Sequence, residues 1–142
     1  MRVSEQTREQ IMAVLRRLVE ATGRKDVESI MASTDPDFRG LGSGADEKTI
    51  GREAYRRHIE RDFAQAETIA LSLSDVQISA EGTVAWVMAD MTYHIVADGV
   101  PQDLNGRMTM VLRGTGHAWV IAQVHYSLPA EGQEAGRPYP EA

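Results

Sequence analysis

Residues 107–129, RMTMVLRGTGHAWVIAQVHYSLP, decide the fold of this chain. Apolar and polar side chains alternate on either side of a central Gly-Thr-Gly, which is the pattern of two antiparallel strands joined by a glycine turn. The second strand begins at Trp119 and ends near Ser127. Because a shift of one residue would move every side chain to the opposite face, apolar residues of one strand must lie opposite apolar residues of the other. The segment therefore predicts a strand pair with one buried face and one outer face.

The same rule predicts the register of three strands. For the hairpin around residues 114–116 it sets Leu112 opposite Val120, Met110 opposite Ala122, Met108 opposite Val124, and Arg113 opposite Trp119. Upstream, Asp98-Gly99 is a strong signal for a two-residue turn. It pairs Ala97 with Val100, Ala89 with Met108, Val87 with Met110, and Ala85 with Leu112. The outer face then carries one row of Asp90, Arg107 and His125 and another of Trp86, Val111 and Ile121.

Helices precede this sheet. Residues 11, 14, 15, 18 and 19 are apolar and form one stripe of a first helix, with Ser4 as N-cap and Gly23 as the stop. A short second helix ends at Asp35-Pro36-Asp37. Residues 38–51 are glycine-rich and predict a hairpin, and a third helix follows over residues 52–66. From Thr68 the period is two, with a change of phase between residues 73 and 76 that predicts a β-bulge. This order predicts an α+β fold, a curved antiparallel sheet wrapped around N-terminal helices.

Composition limits the function. The chain has 142 residues, which suits a single domain, and no cysteine, which excludes thiolate metal sites and cysteine nucleophiles. Its formal net charge of −6 does not suit a phosphate backbone, so we expect no nucleic-acid partner. No apolar run is long enough for a membrane span, and the N-terminal residues lack the apolar region of a signal peptide. We therefore expect no membrane partner and a cytoplasmic location.

Two local motifs resemble the SnoaL-like proteins of the nuclear transport factor 2-like superfamily, which includes ketosteroid isomerases. Residues 119–127, WVIAQVHYS, are similar to the family's closing strand, with a tryptophan six residues before a His-x-Ser. Residues 40–47, GLGSGADE, and 51–54, GREA, are similar to its hairpin and its entry into the third helix. The resemblance covers a single domain over residues 1–128, and the Pro-, Gly- and Glu-rich tail at 129–142 is expected to be loosely ordered. It implies a cone-shaped, cystatin-like roll with a pocket inside.

The resemblance also implies that the outer sheet face pairs with another subunit. The apolar side chains assigned to that face support this, because a monomer would leave them exposed. We expect a homodimer through Trp86, Asp90, Arg107, Trp119 and His125. Asp90, Arg107 and His125 could form an acid–base group, but their place opposite the pocket favours an ion row at the interface.

Side chains on the inner face are the candidates for binding a small organic ligand. They are Tyr55, Ile59, Met91, Tyr93, Met108, Met110, Val124 and Tyr126. The tyrosine hydroxyls could hold a carbonyl or enolate oxygen of the ligand, or the tyrosines could be core residues whose hydroxyls reach the rim. The methionines could be an adaptable lining or simply core.

Catalytic residues are harder to assign. Ketosteroid isomerases have an aspartate base on the first hairpin strand, where this chain has Gly40 or Leu41. The remaining candidates are Asp37, Tyr55 and Tyr126, with Asp35 nearby; both aspartates are expected to be solvated residues at a helix end. His58 and Asp62 could share a metal at i, i+4, but on an otherwise charged helix we expect no metal, and no cofactor.

These observations predict a protein that binds a small apolar molecule in a conical pocket. Its chemistry would be cofactor-free acid–base chemistry of the isomerase, cyclase or dehydratase type. The alternative is a non-catalytic binding or oligomeric assembly module. Two ionisable groups converging at the pocket would favour an enzyme, whereas a lining of Met, Val, Ala and tyrosine rims would favour a binder.

Overall fold

A computed structural model describes residues 3–141. In that range the elements are α1 Glu5–Gly23, α2 Val27–Ala32, β1 Thr34–Leu41, β2 Lys48–Ile50, α3 Arg52–Gln65, β3 Thr68–Glu81, β4 Val84–Ala97, β5 Val100–Gly114 and β6 Trp119–Ser127. The strands form one sheet in the order β2-β1-β6-β5-β4-β3. Neighbouring strands are antiparallel except β1 and β6, which are parallel. The predicted α+β class and curved, open sheet are confirmed.

Helix α1 forms where the sequence predicts it. Ser4 is its N-cap, and the Ser4 hydroxyl accepts a 3.1 Å hydrogen bond from the Thr7 amide. Its apolar stripe is buried, with Ile11 fully inaccessible to solvent. The stripe packs with the inner face of the sheet into one core that also includes Phe38 from β1 and Leu112 from β5. In the part of the chain from residue 3 to 141, no helix combines the length and apolarity that crossing a membrane requires.

The predicted bulge in β3 is confirmed. The pairing of β3 with β4 shifts between Ser74 and Gln77, and Asp75 has a φ of 48°. A β-bulge bends its strand and increases the local twist. The bend lets the long strands β3 and β4 curve around the helices.

The register of β4 against β5 is as predicted, from Ala97 opposite Val100 to Ala85 opposite Leu112. The register of β5 against β6 differs by two residues: Met110 lies opposite Val124, and Met108 opposite Tyr126. Within this strand pair the register also shifts, between Val111 and Leu112, and this β-bulge leaves Ala122 as an extra residue on β6. The sequence prediction was wrong here because it assumed an unbroken ladder, and a bulge is not visible in the alternation of β6.

This bulge changes which face two residues of β6 occupy. Ile121, expected on the outer face, pairs with Leu112 and is 3% exposed in the core. Trp119, expected at the dimer face, lies opposite Gly114, and its Nε1 donates a 2.9 Å hydrogen bond to Oε1 of Gln10 on α1. Trp119 therefore packs on the helix side of the sheet, and its assignment to the outer face was wrong.

The segment around Pro36 is part of β1 and not a solvated loop. Asp35, expected at a solvated helix end, is 5% exposed. Its Oδ2 accepts a 2.7 Å hydrogen bond from Nε of Arg113, and its Oδ1 accepts one of 2.9 Å from the Asp37 amide. Parallel pairing of Thr34 with Ile121 draws this segment into the sheet, which buries the carboxylate.

Candidate functional site

A cavity of about 350 Å³ opens between the inner face of the sheet and the helices. Every helix and strand of the described chain contributes to its wall. Both phenylalanines of the protein and three of its four tyrosines meet there: Phe38, Phe63, Tyr55, Tyr93 and Tyr126. Aliphatic side chains such as Leu18 and Ile30 form the rest of the apolar wall. This volume lies within the range of roughly 300–1,000 Å³ that is usual for small-molecule sites.

The cavity wall includes six of the eight side chains that the sequence proposed for ligand binding: Tyr55, Ile59, Met91, Tyr93, Val124 and Tyr126. Met108 and Met110 are each 1% exposed and lie in the closed core instead. In the sheet they pair with Ala89 and Val87, which are also outside the cavity wall. The two methionines are not part of the cavity wall, and ligand binding by all eight side chains stays a prediction.

The aromatic side chains of the wall form two pairs. Phe38 and Tyr55 are stacked, with ring centroids 4.0 Å apart. Tyr93 and Tyr126 meet edge to face at 5.8 Å. Burial raises the pKa of Tyr55, Tyr93 and Tyr126, so all three hydroxyls keep their protons at neutral pH. They can therefore donate hydrogen bonds to an oxygen atom of a bound molecule.

An ionisable pair lies in the same wall. Nε2 of His58 is 3.1 Å from Oδ2 of Asp62, one turn further along α3. The hydrogen bond to Asp62 raises the pKa of His58, and partial burial opposes that rise only in part. The sequence contained the signal for this pair, because residues 55, 58, 59, 62 and 63 follow the i, i+3, i+4, i+7, i+8 spacing of one helix face. His58 and Asp62 thus belong to the apolar stripe, which the prediction of a charged helix face missed.

Glu47, from the loop between β1 and β2, completes the polar side of the cavity. Its Oε2 accepts a 2.9 Å hydrogen bond from the amide of Gly44. One oxygen or nitrogen atom from each of Glu47, His58 and Asp62 lies within 4.8 Å of the other two. Such atoms could ligate a divalent cation. Arg61 lies beside them, with guanidinium nitrogens 3.6 Å from Glu47 and 3.4 Å from Asp62, and its positive charge opposes a cation there. The expectation of no metal stays a prediction.

The aspartates proposed for catalysis are not brought to this cavity. Asp37 is exposed on β1 and is not part of the wall. Asp35 is committed to its ion pair with Arg113, and that hydrogen bond lowers the pKa of Asp35. Of the catalytic candidates, Tyr55 and Tyr126 remain at the cavity.

The outer face of the sheet carries a second concavity of about 360 Å³. Asp90 and Arg107 lie opposite each other there, as predicted. His125 belongs to the same concavity but lies opposite Thr109, so its place in a straight row with the other two was wrong. The two concavities open on opposite faces, so these three residues are separate from the aromatic cavity.

Ser72, His94 and Asp103 form a hydrogen-bonded chain elsewhere on the outer face. Ser72 Oγ lies 3.0 Å from His94 Nε2, and His94 Nδ1 lies 2.9 Å from Asp103 Oδ1. The atoms are those of a serine hydrolase triad. The side chains of His94 and Asp103 are 44% and 62% exposed, and none of these three residues lines either concavity. We interpret it as a polar cross-strand contact of β3, β4 and β5.

Comparison with known proteins agrees with this architecture. Residues 11–131 match the model of the SnoaL-like domain. A nuclear transport factor 2-like superfamily protein from Salmonella enterica serovar Typhimurium is 19% identical, with a TM-score of 0.84 over 96% of this chain and 100% of that one. No match was found among proteins of curated function.

Two further structures carry provisional names of enzymes. A protein from Streptomyces avermitilis, provisionally named a dehydratase of the same superfamily, is 20% identical, with a TM-score of 0.82 over 89% of this chain and 99% of that one. A protein from Novosphingobium aromaticivorans, provisionally named a scytalone dehydratase, is 14% identical, with a TM-score of 0.79 over 94% of this chain and 92% of that one. At these identities the likeness shows the fold alone. Since the family model covers most of the sequence, the chain belongs to the SnoaL-like domain family.

Proposed function

We propose that this protein binds a small organic molecule with an apolar ring system in the aromatic cavity and acts on it by acid–base catalysis. The observation that carries this proposal is the His58–Asp62 pair in the wall of a cavity lined by three protonated tyrosines. Two ionisable groups that converge at a pocket favour an enzyme over a passive binder. The reaction class is isomerisation, cyclisation or dehydration, and the provisional names of two structural neighbours agree with the last of these.

Each group has a distinct role in this proposal. Asp62 accepts a hydrogen bond from Nε2 of His58, which orients the imidazole and favours its protonated form. Nδ1, the imidazole nitrogen that Asp62 leaves free, lies 3.4 Å from Nη2 of Arg61, a long contact that a bound substrate would have to replace. Nδ1 can then remove a proton from a carbon next to a carbonyl group and, once protonated, can protonate a departing hydroxyl group. A tyrosine hydroxyl that donates to the carbonyl oxygen stabilises the negative charge that develops there. The apolar wall keeps water away from these steps.

Proton exchange at carbon tests this function without knowledge of the natural substrate. Aromatic ketones such as 2-tetralone exchange the protons next to the carbonyl group with deuterium oxide, and proton NMR follows the rate. We expect the protein to accelerate exchange, and H58N to reduce that acceleration by about 10²–10⁴-fold, the usual contribution of a general acid–base group. H117N is the matched control, because His117 lies exposed in the β5–β6 loop. Equal acceleration by H58N and wild type would refute the assignment, and binding without exchange by the wild type would favour the non-catalytic alternative.

We also propose that the protein forms a homodimer through its outer sheet face and works in the cytoplasm. Trp86 and Met88 remain 41% and 59% exposed on that face. A neighbouring subunit would remove these side chains from water, which is favourable at roughly 25 cal/mol per Å² of apolar surface. Asp90 and Arg107 would then form the polar part of the contact, and Trp119 would not take part.

A further inference from the structure

The ionisable groups of the aromatic cavity are not balanced in charge. Glu47, His58 and Asp62 belong to its wall, and in the described part of the chain no lysine or arginine does. Arg61 lies beside this group with Asp46, and its Nη1 is 3.0 Å from the Asp46 carboxylate. Three carboxylates therefore share one guanidinium. The cluster stays negative whether His58 is neutral or protonated.

The loop between β1 and β2 fixes the position of the Glu47 side chain. The side chain is 22% exposed, and its Oε2 is held by the Gly44 amide. A Cβ atom at Gly42 would come within 2.1 Å of Oε2, and one at Gly44 within 3.0 Å of Cδ. These two glycines therefore leave room for the carboxylate to fold back over the loop. A carboxylate only accepts hydrogen bonds, so it suits a hydrogen-bond donor on the ligand.

An anionic ligand would be disfavoured in this cavity for two reasons. Its charge would lose hydration on entering an apolar wall, and no lysine or arginine of the wall would pair with it. His58, when protonated, is already paired with Asp62. The anionic ligand would also be repelled by Glu47 and Asp62 at short range, where screening by salt is weak. A hydroxyl group carries no charge and meets neither penalty. An ammonium group also loses hydration, but Glu47 and Asp62 attract it.

We infer that Glu47 is a specificity-determining residue, which makes the aromatic cavity select uncharged or cationic ring compounds with hydrogen-bond donors and reject their carboxylate analogues. This inference rests on the proposed function, because it names the class of molecule that the same cavity takes. It predicts that the affinity of a ligand depends on its charge and not on the type of its ring. Glu47 acts through its field and its acceptor oxygens, and the proton transfer itself belongs to His58.

A matched panel of fragments tests the inference. Benzene, naphthalene and indole scaffolds are each prepared with a hydroxymethyl, an aminomethyl or a carboxylate group, and binding is measured by chemical-shift titration of the ¹⁵N-labelled protein. We expect the hydroxymethyl and aminomethyl compounds to shift amides of the cavity wall, and the carboxylates to bind at least about tenfold more weakly, equivalent to about 1.4 kcal/mol. In E47Q, which keeps an acceptor for the Gly44 amide, the carboxylates should gain affinity and the difference should narrow. D37N is the control, since Asp37 is exposed on β1, outside both the wall and the cluster around Arg61.

The outcomes separate the inference from the function on which it rests. If carboxylates bind as tightly as the hydroxymethyl compounds in the wild type, charge selection is refuted while binding in the cavity stands. The same holds if selection persists in a folded E47Q, in which case Glu47 is not its source. If no fragment of any charge shifts an amide of the wall, the binding function fails and the inference fails with it. The wild-type ranking needs no variant, so the test does not depend on the folding of E47Q.

Discussion

Arg113 on β5 donates a 2.7 Å hydrogen bond from Nε to Oδ2 of Asp35 on β1, although strand β6 lies between the two strands. The contact joins three neighbouring strands of the sheet near the point where β1 enters it. Asp35 is 5% exposed, so its charge depends on Arg113 and on the Asp37 amide for compensation. The parallel pairing of β1 with β6 places the two residues together, and this pairing gives no local signal in the sequence.

Replacement of Asp35 should destabilise the fold. In D35N one carboxylate oxygen becomes an NH2 group, so either Arg113 or the Asp37 amide loses its acceptor. We expect the free energy of unfolding to fall by about 1–3 kcal/mol, the range for a buried polar group that loses its partner. The pKa of Asp35 is lowered in the folded state, mainly by the hydrogen bond from Arg113. Its contribution is therefore present above the unfolded pKa of about 3.9 and is lost as the pH falls through the folded pKa. Urea unfolding at pH 7 and pH 3 measures both effects; D37N, on the exposed neighbour, should change neither.

The His58–Asp62 pair should be visible in a histidine titration. The hydrogen bond to Asp62 raises the pKa of His58, so D62N should lower it towards or below the ordinary value. Because the folded pKa is raised, the stabilisation from this pair is complete below the unfolded pKa of about 6.5 and disappears as the pH rises through the folded pKa. Proton NMR of the imidazole follows the titration. D46N removes a nearby charge that does not contact His58 and should leave the titration in place; an unchanged curve in D62N would contradict the pairing.

The helices, the hairpin of β1 and β2 and the four strands that follow α3 could be predicted because their signals are local. The stripe of α1, the phase change in β3 and the Asp98-Gly99 turn each lie within one element and its neighbour. The register of β5 against β6 could not be predicted. A small apolar residue such as alanine suits either face of a sheet, so the alternation does not mark Ala122 as an extra residue. This one bulge moves Trp119 and Ile121 to the helix side, and it removes a tryptophan from the predicted dimer face.

The sequence predicted aromatic and aliphatic residues of the cavity wall, but it did not predict the ionisable residues of that wall. Tyr55, Tyr93 and Tyr126 follow from strand and helix periodicity, and all three reach the cavity. His58 and Asp62 have the same periodicity as Tyr55, but their charge led to an assignment outside the stripe. Glu47 could not be assigned from the sequence, since its position depends on how the glycines at 42 and 44 let the loop fold back.

Substitution of Gly42 should displace Glu47. A Cβ atom there would lie 2.8 Å from Cβ of Glu47 as well as 2.1 Å from Oε2, so G42A forces the whole side chain to move. We expect the Gly44–Glu47 hydrogen bond to break and the free energy of unfolding to fall by about 1 kcal/mol. The Gly44 amide resonance reports the hydrogen bond, and thermal unfolding reports the stability. G23A is the matched control, because nothing lies within 4 Å of a Cβ at Gly23; a Gly44 amide at its wild-type shift in G42A would contradict the packing.

The proposed dimer can be tested on the outer face alone. Met88 is 59% exposed and lies opposite Thr109 in the sheet, so M88E adds a charge to that face without disturbing the core. We expect light scattering to give twice the chain mass for the wild type and the mass of one chain for M88E. V100E is the control, because Val100 is 63% exposed but lies at the β4–β5 turn, away from Met88. A wild type with the mass of one chain, or an M88E protein that remains dimeric, would refute this interface. W119E does not test it, because Trp119 is hydrogen-bonded to Gln10 of α1 and its replacement should destabilise the fold.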